Sequence, residues 1–118
     1  MKETAPSGKL KEEFECAQFL DSKAQGIKLW VRNLSKRPTS FRLQTSTDWF
    51  YPDFVCQLED GRILVVEYKG EHLMADAQEK RDIGNLWAAR SNGRCLFAMP
   101  TDRRFDEIVQ KTDSPNAM

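Results

Sequence analysis

Residues 51–70 read YPDFVCQLEDGRILVVEYKG, and the fold turns on how this stretch pairs with itself. Two apolar runs, FVCQL and RILVV, flank the short EDG segment, the pattern of a β-hairpin. The loop length decides which side chains meet. A three-residue loop, Glu59-Asp60-Gly61, puts Gly61 at the left-handed position such loops favour and pairs Leu58 with Arg62. Counting outward, Asp53 then lies opposite Glu67. A two-residue Asp60-Gly61 turn would instead pair Asp53 with Tyr68 and send it to the face opposite Glu67.

In the three-residue register, Asp53, Glu67 and Lys69 share one face near one end of the hairpin, because side chains at i and i+2 point the same way. Two carboxylates directly across a strand pair repel unless something offsets them. A divalent cation does so. Mg²⁺, for which Mn²⁺ can substitute, binds through one or two carboxylates together with water and phosphate oxygens, which suits a site completed by a nucleic-acid backbone. Lys69 is then placed to orient or help deprotonate a water, or to stabilise charge on the phosphate. The competing account makes Glu67 and Lys69 a solvated strand end, with Asp53 capping the turn after Pro52. The pair ends the most hydrophobic run of the chain, ILVV, and a Pro-Asp stands at the matching register, so the site is the better account.

Outward from the hairpin, residues 9–22 carry Leu10, Phe14, Ala17 and Leu20 at helical spacing. IKLWVRN, residues 27–33, alternates as a strand, with Ile27, Leu29 and Val31 expected on one face. Pro38 breaks the chain, and a short strand is expected over residues 41–45, followed by a polar turn. Beyond the hairpin, residues 76–90 predict a helix whose Ala77, Gly84 and Ala88 permit close packing on a sheet. RCLFAM, residues 94–99, reads as a buried strand and DRRFDEIVQK as a closing helix. The order of elements predicts an α/β fold, a mixed sheet with helices on both faces.

The 118 residues, 40% of them hydrophobic, suit a single domain, 1–118, with residues 1–8 a flexible leader and 112–118 a flexible tail. No internal repeat, membrane-spanning run or signal-peptide core is present, so a cytoplasmic protein without membrane contact is expected. Cys16, Cys56 and Cys95 are odd in number and lack metal-ligand spacing; they read as small hydrophobes in a reducing compartment. With 18 basic and 18 acidic residues the net charge is zero, so an anionic partner needs a local patch. Arg32, Arg42, Lys80 and Arg81 are the candidates for contacting DNA phosphates.

Pro52-Asp53, a gap of 13 residues and then Glu67-Tyr68-Lys69 resemble the motif of the PD-(D/E)XK nuclease superfamily. The wider stretches WVRNL, STDWFYPDFVCQLEDGRILVVEYKGEHL and EKRDIGNLWAARSNGRCLFAM look like the C-terminal nuclease region of type III restriction enzyme restriction subunits and related DEAD/DEAH-box helicase proteins. The resemblance covers about residues 14–99. It implies a restriction-endonuclease-like α/β/α sandwich with a central mixed sheet of four to five strands, and Mg²⁺-dependent hydrolysis of DNA phosphodiesters. Asp53 and Glu67 would carry the metal and Lys69 would be the catalytic lysine. The superfamily often adds an acidic residue from its first helix; through FECA the resemblance selects Glu15, whereas the helical wheel places Glu13 nearer the buried side.

No phosphate-binding loop of the G-x-x-x-x-G-K-[ST] type is present, so the chain reads as a nuclease module without a motor. It would act alone, within a longer polypeptide, or with a separate helicase, translocase or modification subunit, and a homodimer would allow both strands to be cut. The neutral charge and missing motor keep a second reading open, a non-catalytic DNA-binding or protein-docking module that retains the fold. His72 is more simply a surface or packing residue than a catalytic one. Trp30 and Trp87 read as packing residues, and Trp49, which leads into the motif, is the best candidate for an exposed stacking residue.

Overall fold

The hairpin takes the three-residue loop. Phe54 pairs with Val66, Cys56 with Leu64 and Gln57 with Ile63, and the Leu58 N–H donates to the Arg62 carbonyl at 2.8 Å. Gly61 closes the turn at φ +93°, a conformation that costs a side-chain-bearing residue strain. The computed structural model describes residues 8–22, 26–34, 37–46, 49–69, 74–101 and 103–115. In chain order these form α1 (Gly8–Ser22), β1 (Ile27–Arg32), β2 (Leu43–Gln44), β3 (Trp49–Phe50), β4 (Phe54–Leu58), β5 (Ile63–Val66), α2 (Met74–Ala89), β6 (Cys95–Ala98) and α3 (Asp106–Thr112).

Four strands make one mixed sheet in the order β1-β4-β5-β6, antiparallel except for the parallel β5–β6 pair. That parallel pair requires a crossover, which α2 supplies. One face of the sheet, with Phe54, Cys56, Leu58, Leu64, Val66 and Tyr68, packs against Cys16 and Leu20 of α1 and Ile108 of α3. The other face, centred on Val65 and Phe97, packs against Ala77, Trp87 and Ala88 of α2. The fold is therefore mixed α/β, with three helices among the described residues. The short strand expected over residues 41–45 is present as β2, but it lies outside the main sheet, paired with β3 in a separate two-stranded ribbon.

The face expected to be buried on β1 is corrected. Ile27 pairs with Leu58 but Leu29 pairs with Gln57, so Lys28 is an extra residue in the ladder. This bulge puts Ile27 and Trp30 together against the α1 core and leaves Leu29 and Val31 48% and 53% exposed. The apolar stripe of α1 also differs. Among its described side chains Glu13, Cys16 and Leu20 are buried, while Phe14 faces solvent. At the C-terminus, α3 runs through Thr112, and the guanidinium of Arg62 holds the carbonyls of Thr112 and Ser114 at 3.3 and 2.9 Å. Residues 112–115, assigned above to the tail, are thus tied to the hairpin.

At Gly84, α2 lies directly against Phe97 of β6. A Cβ there would lie 2.4–2.5 Å from ring carbons of Phe97, which is itself edge-on to Phe50. Gly84→Ala gains helix propensity of up to about 1 kcal/mol. The overlap with a ring that has no room to move costs about 1–3 kcal/mol or more, and it outweighs that gain. A net fall in the urea midpoint is expected, and a rise would show that helix and sheet can separate without penalty.

Cys16 and Cys56 are fully buried and Cys95 is partly exposed; all three are free thiols. Burial pushes Cys56 up to about 12, and burial, aided by the charges of Asp53 and Glu13, pushes Cys16 well above the ordinary thiol value. An unfolded chain loses these protons near pH 9, whereas the folded chain holds them to about pH 12. Protonation favours the folded state, so this stabilisation is intact below about pH 9 and is lost as the pH rises through that window. Native-state alkylation at mildly alkaline pH should label Cys95 and spare Cys16 and Cys56 until denaturant is added. Equal labelling of all three would contradict the burial.

Candidate active site

The site lies where β4 leaves the sheet. In a regular ladder the Tyr68 N–H would donate to the carbonyl of Pro52, the next partner in register. That carbonyl instead accepts from the side-chain amide of Asn33 at 2.8 Å. The Tyr68 N–H donates to Asp53 Oδ2 at 2.9 Å, so the Asp53 carboxylate replaces the departed backbone. Beyond the end of β5 the chain stays extended. Glu67 N–H and Lys69 N–H donate to the carbonyls of Ala98 and Pro100, both at 3.0 Å, and Lys69 bridges Thr101.

This alternation fixes the side chains. Tyr68 points into the core shared by α1 and α3. Glu67 points to the α2 side, where its Oε2 lies 3.5 Å from Lys80 Nζ. Lys69, two residues on, continues the Glu67 side of the strand. Glu67 and Lys69 are 3% and 6% exposed, and Asp53 is half-buried. The ladder ends at Phe54 and Val66, and counted one step beyond it Asp53 falls level with Glu67. The expected Asp53, Glu67 and Lys69 are thus gathered at one end of the central hairpin.

Asn33 is the residue that sequence reasoning missed. Its backbone N–H donates to the Asp53 carbonyl at 2.8 Å, its side-chain amide donates to the carbonyls of Phe41 and Pro52, and its Oδ1 accepts the Phe41 N–H. It therefore fixes Asp53 from behind and ties β1 to the segment leading into β2. The only local signal was a polar residue ending an apolar strand, which is common in any loop.

Glu15 has a partner of its own at the C-terminal side of the sheet. It accepts from the Arg103 guanidinium, while the neighbouring Glu12 accepts from the Tyr68 hydroxyl, which in turn accepts the Arg103 N–H at 2.8 Å. Burial and the Glu12 contact push the Tyr68 phenol up to about 12, so this hydroxyl stays a donor at neutral pH. Glu13 is the buried carboxylate of α1, and it pairs with Arg32 at 2.8 Å. These contacts join α1 to β1 and to the loop before α3.

The four basic candidates have different surroundings. Arg32 is held by Glu13 and lies 5.6 Å over the Phe54 ring. Arg81 donates to the Met99 carbonyl at 2.7 Å and pairs with Glu107 at 3.1 Å, which fixes α2 to β6 and α3. Lys80 sits between Glu67 and the Phe50 ring. Arg42 is exposed and stacks 4.2 Å over Trp49. His72 lies outside the described residues.

The donor set suits a hard divalent cation in type. It offers two carboxylates on adjacent strands, and among the described residues no group of three or more His, Cys, Asp and Glu side chains forms a closed cage. Mg²⁺ commonly binds with few protein ligands, its remaining positions filled by water and phosphate oxygens. Among the described residues no helix is long and apolar enough to cross a membrane. No family model matches the chain, and no curated protein or solved structure matches it.

Proposed function

We propose that the chain is a metal-dependent DNA endonuclease domain of the PD-(D/E)XK type, with a restriction-endonuclease-like α/β/α core related to the nuclease region of type III restriction enzymes. The observation that carries this reading is the hairpin register, which sets Asp53 across from Glu67 with Lys69 two residues further along the same strand. Asp53 and Glu67 would hold Mg²⁺ or Mn²⁺. When bound, the ion would supply positive charge beside the attacked phosphate.

The remaining chemistry falls to the protein. Lys69 lies on an extended segment whose backbone N–H bonds the Pro100 carbonyl just past β6, a rigid mount for its side chain at the end of the sheet. It orients the attacking water and stabilises negative charge building on the phosphoryl oxygens. The water oxygen forms a bond to phosphorus and gives up a proton to solvent, the bond from phosphorus to the leaving deoxyribose oxygen breaks, and that oxygen takes up a proton from solvent. DNA is the partner, with a separate helicase or translocase supplying any movement along it.

One observation favours a second reading, a non-catalytic DNA-binding or docking module: the Lys80 ammonium at 3.5 Å already offsets the charge of Glu67. Plasmid nicking assayed in Mg²⁺, in Mn²⁺ and in chelator, with calorimetric titration of each metal into the wild type and Glu67→Gln, separates the two. Nicking that requires metal, and metal binding that disappears with Glu67→Gln, supports the nuclease. DNA binding with no nicking in either metal supports the module.

A further inference from the structure

The β2–β3 ribbon carries a feature that the metal site does not use. Gln44 pairs with Trp49 and Leu43 with Phe50, so the ribbon has two distinct faces. Leu43 and Phe50 turn inward onto the core beneath α2. Arg42, two residues before Gln44, falls on the same outward face as Trp49, which explains why its guanidinium lies 4.2 Å over the indole. Trp49 nevertheless keeps 44% of its surface in solvent. The ribbon is fixed to α2 through Ser46, whose N–H and hydroxyl both donate to Glu79 Oε2, at 3.0 and 2.6 Å.

A short chain of contacts leads from this face to the site. Phe50 follows Trp49 and points inward, Lys80 Nζ lies 5.1 Å from its ring, and the same ammonium is 3.5 Å from Glu67. A cleft of about 390 Å³, lined by Arg32, Arg37, Thr39 and Ser40, opens beside Asn33, which holds Asp53. Arg37 and the exposed part of the Arg32 guanidinium bring positive charge to the cleft, which suits phosphates, and an indole that keeps 44% of its surface in solvent with a guanidinium 4.2 Å from its ring suits contact with a base.

We propose that Arg42 and Trp49 form a stacking platform for an unpaired base, and that the preferred ligand of this domain is single-stranded DNA or a single-stranded stretch next to a duplex. The inference rests on the reading of DNA as partner. A base inside a duplex already has both faces stacked, so an indole platform discriminates for the unpaired strand without reading sequence.

The test is fluorescence anisotropy in chelator, using a labelled oligothymidylate and a duplex of the same length, on wild type, Trp49→Ala, Trp49→Phe and Arg42→Ala. Thermal melts check each variant's folding, and Phe50 rather than Trp49 carries the inward packing. Expected are tighter binding of the single strand by the wild type, its weakening by roughly 5- to 100-fold in Trp49→Ala, and retention of most affinity in Trp49→Phe. Arg42→Ala should show a smaller loss, and duplex binding should change little. Unchanged single-strand affinity in Trp49→Ala, or equal losses for both ligands, overturns the platform even if nicking persists. Absence of binding to either DNA by the wild type overturns the platform and, if nicking is also absent, the nuclease reading with it.

Discussion

Plasmid nicking in Mg²⁺ should fall by roughly 10²- to 10⁴-fold when Lys69 is replaced by Met, the usual loss on removing one well-placed proton-transfer or charge-stabilising group. The prediction follows from the proposed nuclease, and its value lies in how little else the substitution disturbs. Met keeps an unbranched stem of similar length in a position that is 6% exposed, and the backbone bond from residue 69 to the Pro100 carbonyl does not involve the side chain. Asp53→Asn is equally conservative. Its amide oxygen can still accept the Tyr68 N–H that the carboxylate accepts at 2.9 Å, so local geometry is retained while the charge is lost. Glu67→Gln removes the Glu67 charge from beside Lys80, but the Lys80 side chain is 23% exposed and can turn to water. All three should melt within a few degrees of the wild type and all three should lose nicking. Metal-dependent nicking retained by all three would overturn the assignment of the site.

The register behind that prediction was legible because it depended on one local fact, a glycine at the end of a three-residue loop. Gly61 adopts the positive φ that such a loop requires, and every pair along β4 and β5 follows from it. The faces of β1 were not legible, because a bulge at Lys28 has no signature in alternating hydrophobicity and inverts the pattern on one side of it. Nor was the choice among the glutamates of α1. Glu12, Glu13 and Glu15 each find a different partner in Tyr68, Arg32 and Arg103, and all three partners come from elsewhere in the chain. Long-range pairing of this kind also decided what each basic side chain meets. Arg32 and Arg81 look like Arg42 in sequence, yet the fold gives the first two carboxylate partners and sets the third over an indole.

Arg62→Ala should lower the stability of the whole domain by about 2–4 kcal/mol, a cost comparable to losing a buried apolar side chain. Its guanidinium is 5% exposed and uses its planar fork in several directions. Nε donates to Asp60 at 2.9 Å, while the terminal nitrogens donate to Ser114 Oγ at 3.2 Å and to the carbonyls of Thr112 and Ser114. Summing these charge-assisted bonds would overstate the loss, because freed carbonyls near the surface recover water. The greater part of the effect lies in what they connect. The helix α3 has seven residues, too few to persist alone, and Ile108 on it completes the core above β5. The same guanidinium faces the carbonyls at the negative end of that helix, where a cation is favourable. Without it, residues 112–115 lose their tie to the hairpin and α3 should fray toward Ile108. Hydrogen exchange should therefore rise first in residues 109–115, and urea denaturation should shift to a lower midpoint. Asp60→Ala removes one half-exposed partner and leaves the carbonyl contacts in place, so it should cost about 1 kcal/mol or less. Comparable losses in the two variants would mean that Arg62 acts through the turn alone; a loss confined to Arg62→Ala, with early exchange in α3, identifies it as the clamp between hairpin and C-terminal helix.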